Sequence, residues 1–130
     1  CKINHKQHTI EYSGAMRPMW IINNLELKEI KADKIPIGTK QKDREETIAY
    51  TTHTINVEKG DCFYIFTDGY ADQFGGPKDK KYSTGKFKEL LKANFNKDFE
   101  TQLNVIKAEH LHWKGENEQV DDILVIGFTI

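Results

Sequence analysis

Four aspartates carry the chemistry open to this sequence. Asp68 follows an apolar run, Cys62-Phe-Tyr-Ile-Phe66, with only Thr67 between, and Gly69 comes next. Asp121 and Asp122 stand directly before a second apolar run, residues 123–128, and Asp72 lies one helical turn beyond Asp68. Carboxylates at the ends of buried strands are held on rigid elements beside low-dielectric surroundings. Brought together they repel, and a divalent cation relieves that repulsion. Oxygen donors with no neighbouring cysteine or clustered histidine suit Mg2+ or Mn2+ rather than zinc. An ordinary structural reading stands beside this one. Asp-Gly is a common turn pair, Asp68 can cap a short helix over residues 70–74, and Asp121-Asp122 can be a plain loop leading into a strand. On residue pattern alone, both readings stay open.

The surrounding elements decide whether these carboxylates can meet. Residues 9–13 alternate, Gly14 turns the chain, and Met19–Ile22 and Leu25–Ile30 read as a β-hairpin about Asn23-Asn24. Residues 39–46 are polar and predict an exposed loop, and strand composition resumes over residues 47–57. Cys62–Phe66 is apolar on both faces, which places it between two layers. Ser83 can cap a helix with Phe87, Leu90, Leu91 and Phe95 on one face. Asn96 or Asp98 can cap a second, with Phe99, Leu103, Ile106 and Trp113 on one stripe and Gly115 as its stop. A last strand covers residues 123–130. Strands, then helices, then a strand predict an α+β fold with largely antiparallel sheets.

Composition narrows the function classes. The chain has 130 residues, enough for one domain or a large piece of one. Nineteen basic and 20 acidic residues leave a net charge of -1, which argues against a dedicated nucleic-acid or membrane-surface protein. Two cysteines, Cys1 and Cys62, build no disulfide framework and fit a reducing, cytoplasmic setting. Neither apolar run approaches the ~20 residues of a membrane-spanning helix. With no initiator methionine and no signal-peptide plan, the chain reads as an excised piece of a longer one.

The run Phe66-Thr-Asp-Gly-Tyr-Ala-Asp-Gln-Phe-Gly-Gly76, followed later by Asp121-Asp-Ile-Leu-Val-Ile-Gly127, resembles the bacterial serine phosphatases of the sporulation stage-II-E type. These belong to the metal-dependent, protein phosphatase 2C-like class. Glu11-Tyr-Ser-Gly-Ala-Met-Arg-Pro-Met19, Ile35-Pro-Ile-Gly38 and Glu58-Lys-Gly-Asp61 resemble further family segments in the same order, so the likeness covers essentially the whole chain. It implies part of a two-sheet sandwich flanked by helices. It also implies hydrolysis of phosphoserine or phosphothreonine on a protein substrate, by water activated between two Mn2+ or Mg2+ ions. Asp68 and Asp121 match the family's metal ligands. Asp72 matches a position linked to an additional, weaker metal. Asp122 matches a hydrogen-bonding neighbour of the ligands, and Gly69 lets the chain turn tightly beneath the metal.

The family's remaining Asp-Gly ligand, from its N-terminal half, has no counterpart here, because the single Asp-Gly of this chain is Asp68-Gly69. The resemblance therefore implies the C-terminal portion of one domain, residues 1–130, with upstream sensor or regulatory domains in the parent. Alone it is expected to be inactive, to hold Mg2+ or Mn2+ weakly, and to self-associate through uncovered sheet edges. Two rivals remain: a non-catalytic regulatory module on the same fold, and a β-rich ligand-binding domain whose Asp68 and Asp121 lie far apart. His53 and His110 read as structural, and His5 and His8 as solvated. Trp20 and Trp113 read as core, residues 78–81 as solvated surface, and Arg17 as an exposed loop residue able to approach a phosphate.

Overall fold

A computed structural model describes residues 1–38 and 49–130; the loop expected over 39–46 lies outside the described residues. Nine strands and three helices are assigned among the described residues: β1 (Lys2–Asn4), β2 (Thr9–Tyr12), β3 (Met19–Asn23), β4 (Glu26–Ile30), β5 (His53–Asn56), β6 (Cys62–Phe66), α1 (Gly69–Asp72), β7 (Phe74–Gly75), β8 (Lys80–Lys81), α2 (Thr84–Lys92), α3 (Phe99–Lys114) and β9 (Val125–Phe128). A sheet of order β1-β2-β5 faces a second of order β4-β3-β6-β9, and β7-β8 form a small ribbon. Each of the pairings β1–β2, β2–β5, β3–β4, β3–β6 and β6–β9 is antiparallel.

The doubly apolar strand lies between two layers, as its composition requires. Period-two alternation sends Trp20, Ile22, Cys62 and Tyr64 to one face, where Tyr70, Tyr82, Phe87 and Leu91 from the helical side cover them. Met19, Ile21 and Phe63 point the other way and pack on Ile10, Tyr12 and Ile55 of the first sheet. Trp20 sits opposite Tyr64 and Ile21 opposite Phe63, so β3 and β6 form the spine of both cores.

The hairpin turn falls one residue later than the Asn23-Asn24 reading. Asn23 pairs with Glu26, and Asn24 and Leu25 take positive φ of 49° and 65°. The register that puts Trp20 and Ile22 into the core leaves Leu25 at the tip, 63% exposed. Strand structure over the described part of 47–57 shrinks to His53–Asn56, and the last strand to Val125–Phe128. Lys80 and Lys81 form β8 rather than part of a plain solvated loop.

Ser83 caps α2 by accepting from the Lys86 amide at 3.4 Å, and Asp98, not Asn96, caps α3 by accepting from the Thr101 amide at 2.8 Å. The expected stripe on α3 is only half used. Ile106 and Trp113 pack on the core, whereas Phe99 and Leu103 are exposed and Gln102 is buried in their stead. Polar anchors explain this. The Tyr64 hydroxyl donates to Gln102 Oε1 at 2.7 Å, and Gln102 Nε2 donates to the carbonyls of Phe95 (3.1 Å) and Lys97 (2.8 Å). The Tyr70 hydroxyl donates to the Ile106 carbonyl at 2.9 Å. Buried hydroxyls need partners, and these set the rotation of α3. Cys62 is buried and unpaired, and Cys1 is exposed. No helix among the described residues is long and apolar enough to cross a membrane.

His110 sits on α3 beside Tyr70, with ring centroids 5.5 Å apart, and its buried Nε2 makes no hydrogen bond among the described residues. Burial, aided by the nearby Lys114 ammonium, lowers its pKa below the ordinary histidine value. The unfolded chain therefore takes up this proton first as pH falls. Stability is full above the unfolded value of ~6.5 and is lost as pH drops from there toward the lower folded value. Urea midpoints measured from pH 7.5 downward should fall, and His110→Phe should flatten that slope. An unchanged slope would place its origin elsewhere.

Candidate functional site

The antiparallel pairing of β6 with β9 brings two chain segments, far apart in sequence, to one end of the second sheet. Phe66 pairs with Val125, so Asp68 leaves β6 where Asp121 and Asp122 approach β9. Thr67 fastens the junction. Its amide donates to the Leu124 carbonyl at 3.0 Å, its hydroxyl donates to the Asp122 carbonyl at 2.8 Å, and the same oxygen accepts from the Leu124 amide at 2.9 Å. In the sequence Thr67 is only a spacer within the motif; a hydroxyl at the exit of an apolar strand, one residue before Asp-Gly, is the signal that marks it.

Gly69 lets the two segments come close. A Cβ at this position would lie 2.9 Å from the Asp122 carbonyl carbon and 3.2 Å from that of Asp121, both backbone atoms. Only a glycine lets the two segments sit this near one another. Asp68 occupies the N-cap position of α1 but makes no side-chain capping bond, so its carboxylate is not spent on the helix.

The four aspartates differ in what they touch. Asp68 Oδ2 pairs with Arg17 Nη2, an ion pair that joins the loop between β2 and β3 to the end of β6. Arg17 is therefore not a plain exposed loop residue: folding delivers it across 51 positions of sequence. Asp72, at the end of α1, pairs with Lys81 Nζ at 3.1 Å, directed away toward β8. Asp121 Oδ1 accepts from the Asp122 amide at 2.7 Å, and the Asp121 carbonyl accepts from Gln119 Nε2 at 2.8 Å. Gln73 is fully buried and donates through Nε2 to the Glu118 carbonyl at 2.9 Å, tying the end of α1 to the loop that carries Asp121.

The structure thus brings Gly69, the residue after Asp68, against the Asp121–Asp122 backbone and leaves Asp72 with a lysine. The donors are carboxylate oxygens, which suit Mg2+ or Mn2+. Asp68 and Asp121 supply two such oxygen donors. Among the described residues no group of three or more His, Cys, Asp or Glu is close enough to hold a metal, so these two would need further ligands. A polar cavity of about 420 Å3, lined by Asn23, Asn24, Asn56, Glu58 and Asp61, opens at the start of β6, the other end from Asp68. Asp61 there is committed to Asn23 Nδ2 (3.0 Å) and the Glu58 amide (2.8 Å).

Two facing antiparallel sheets with helices packed on the outer face, and an Asp-Gly junction at the sheet end, define a protein phosphatase 2C-like fold. The PP2C domain of SiaA from Pseudomonas aeruginosa superposes with a TM-score of 0.87 at 23% identity, covering 98% of this chain and 49% of that one. The PP2C phosphatase domain of the cell fate determinant SpoIIE from Bacillus subtilis, solved with a fragment of its regulatory domain, gives 0.72 at 18% identity, over 98% of this chain and 36% of that one. A Mn-presoaked crystal of that SpoIIE phosphatase domain gives 0.65 at 14% identity, over 99% of this chain and 54% of that one. The family model for stage II sporulation protein E matches residues 1–130, and the chain belongs to that family. It spans about half the length or less of the first two structures and just over half of the third. No curated protein matches it significantly.

Gly69→Ala tests the junction. The new methyl group meets backbone on its crowded side and must push the Asp121–Asp122 segment away. A loss of about 1–3 kcal/mol in chemical denaturation is expected, the usual range for overpacking a tight site. Unchanged stability would mean that the two segments do not approach as closely as described.

Proposed function

We propose that this chain is the C-terminal portion of a metal-dependent serine/threonine protein phosphatase domain, with Asp68 and Asp121 among the ligands of its Mn2+ or Mg2+. The observation that carries the reading is the approach of Gly69 to the Asp121–Asp122 backbone, which sets the two aspartates at adjacent strand ends in a chain of this family. When bound, a pair of such ions supplies an activated water and neutralises phosphate charge. The protein's own part is positional. Thr67 and Gly69 hold the two carboxylate-bearing segments in register, and Asp122 donates its amide to Asp121 Oδ1. Asp72, paired with Lys81, is assigned the weaker, additional metal position only in competition with that lysine.

The proposed substrate is a phosphorylated protein, acted on in the cytoplasm as part of signal transduction. The remaining metal ligands and the regulatory domains would lie elsewhere in the parent chain, so residues 1–130 alone are expected to turn over little. Among the described residues β4 and β9 are the edge strands of the second sheet, and an edge strand offers backbone groups for pairing, which supports a homodimer as the resting form of the isolated segment.

A non-catalytic regulatory module is the second reading. It is favoured by the pairing of two of the four candidate carboxylates with Arg17 and Lys81. One substitution separates the two. In the full-length protein, Asp68→Asn should cut Mn2+-dependent release of phosphate from a phosphoserine peptide by more than the ~10–100-fold that losing a ligand's supporting partner costs. The strand that carries it stays packed through Phe63 and Tyr64, so the melting temperature should hold. Unchanged hydrolysis at saturating Mn2+ would refute the role of Asp68, and absence of hydrolysis by the unmodified protein would favour the regulatory module.

A further inference from the structure

The loop that carries Arg17 is built more firmly than a surface ion pair requires. The Arg17 carbonyl accepts from the Tyr12 hydroxyl at 2.5 Å, and the Arg17 amide donates to the Ala15 carbonyl at 2.7 Å. The Met16 amide donates to the Asp33 carbonyl at 2.7 Å, and the Asp33 amide donates back to the Gly14 carbonyl at 2.9 Å. Met16 is held at φ 64°, a costly setting for a side chain of its size. A Cβ on Gly14 would lie 2.6 Å from Tyr12 Cζ and 2.9 Å from Ala32 Cβ, so the loop is closely packed from beneath. Asp33 is pinned in turn, accepting from the Thr51 amide at 2.7 Å and from its hydroxyl at 3.0 Å.

All of this aims one guanidinium at the Asp68 carboxylate. The pair is half-exposed, with side chains 45% and 34% accessible, and pairs of that kind contribute little stability. Stability alone therefore does not account for so constrained a loop. The contact is also one-sided: it uses Nη2 of a fork with several N–H donors and Oδ2 of a carboxylate whose Oδ1 has no hydrogen bond among the described residues. A guanidinium fork matches the oxygens of a phosphate, and a carboxylate that holds it from behind keeps the fork facing outward.

Resting on the phosphatase reading above, we infer that Arg17 binds the phosphate group of the substrate, with Asp68 as the residue that orients it. Asp68 would then serve two partners, Arg17 through Oδ2 and, when a metal is bound, that ion as well. The ligand class is a phosphate monoester dianion at the end of β6, reached from the solvent side of the loop between β2 and β3.

The test uses the full-length protein with Arg17→Met and Arg17→Lys, a phosphoserine peptide as substrate, inorganic phosphate as competitor, and Mn2+ binding followed by electron paramagnetic resonance. Arg17→Met should raise both KM and the inhibition constant of inorganic phosphate by about tenfold or more, the scale of a lost charge-assisted hydrogen bond. Mn2+ affinity should not weaken. Arg17→Lys, which keeps the charge but not the fork, should recover part of the loss. Should Arg17→Met unfold the loop, Arg17→Lys decides: a KM raised severalfold with an unchanged melting temperature supports the assignment, and an unchanged KM overturns it. Unaltered phosphate inhibition in Arg17→Met, or a fall in Mn2+ affinity and kcat with KM constant, would also overturn it and leave Arg17 as a structural pin. If the unmodified protein neither binds Mn2+ nor releases phosphate, the phosphatase reading itself fails, an outcome distinct from failure of Arg17 alone.

Discussion

The contact of the Gly69 backbone with the Asp121–Asp122 backbone is the constraint on which the site depends. Two antiparallel strands can end side by side without their flanking loops touching. Here the loops must touch, because Thr67 bonds to both Asp122 and Leu124 while glycine removes the side chain that would keep them apart. Beyond the assigned end of β9 at Val125, the Thr67 amide donates to the Leu124 carbonyl and carries the β6–β9 register one pair further. Behind the junction, Trp20, Phe63 and Tyr64 are almost fully buried, so the strand that presents Asp68 rests on the best-packed part of both cores. A rigid support under a polar junction is what positioning a charged ligand requires.

Charge organises the rest. The Asp68 carboxylate is paired with Arg17, delivered from the loop between β2 and β3. Asp72 is answered by Lys81, and Asp121 is satisfied locally by the Asp122 amide. The three thus have separate partners, and their roles are separable by substitution. Elsewhere polar groups do mechanical work. Tyr64 with Gln102, and Tyr70 with the Ile106 carbonyl, orient α3 more firmly than its own apolar stripe does.

What could be read in advance follows from how local each signal is. The layer position of β6 was visible because a strand apolar on both faces has nowhere else to go, and Ser83, Asp98 and Gly115 mark helix ends through chemistry confined to a few residues. The hairpin turn sits at Asn24-Leu25, one residue past the Asn23-Asn24 expectation, because its register is set by Trp20 and Ile22 docking against distant helices, and an exposed Leu25 in a turn gives no local warning. The burial of Gln102 in preference to Phe99 and Leu103 depends on a tyrosine 38 positions away. At the site, the approach of the Gly69 backbone to Asp121-Asp122 follows from the pairing of β6 with β9. The link from Arg17 to Asp68 and the clamp by Thr67 are tertiary facts that spacing does not encode.

If Asp68 and Asp121 share one divalent cation, as proposed, crystals of the full-length protein soaked in Mn2+ should show it by anomalous diffraction. The expected manganese peak lies at the end of β6, with a carboxylate oxygen of each aspartate at about 2.0–2.2 Å, within the range of oxygen-ligated divalent metals of this size. A peak bound by neither residue, or carboxylates standing ~10 Å apart with manganese bound elsewhere, would rule the shared site out.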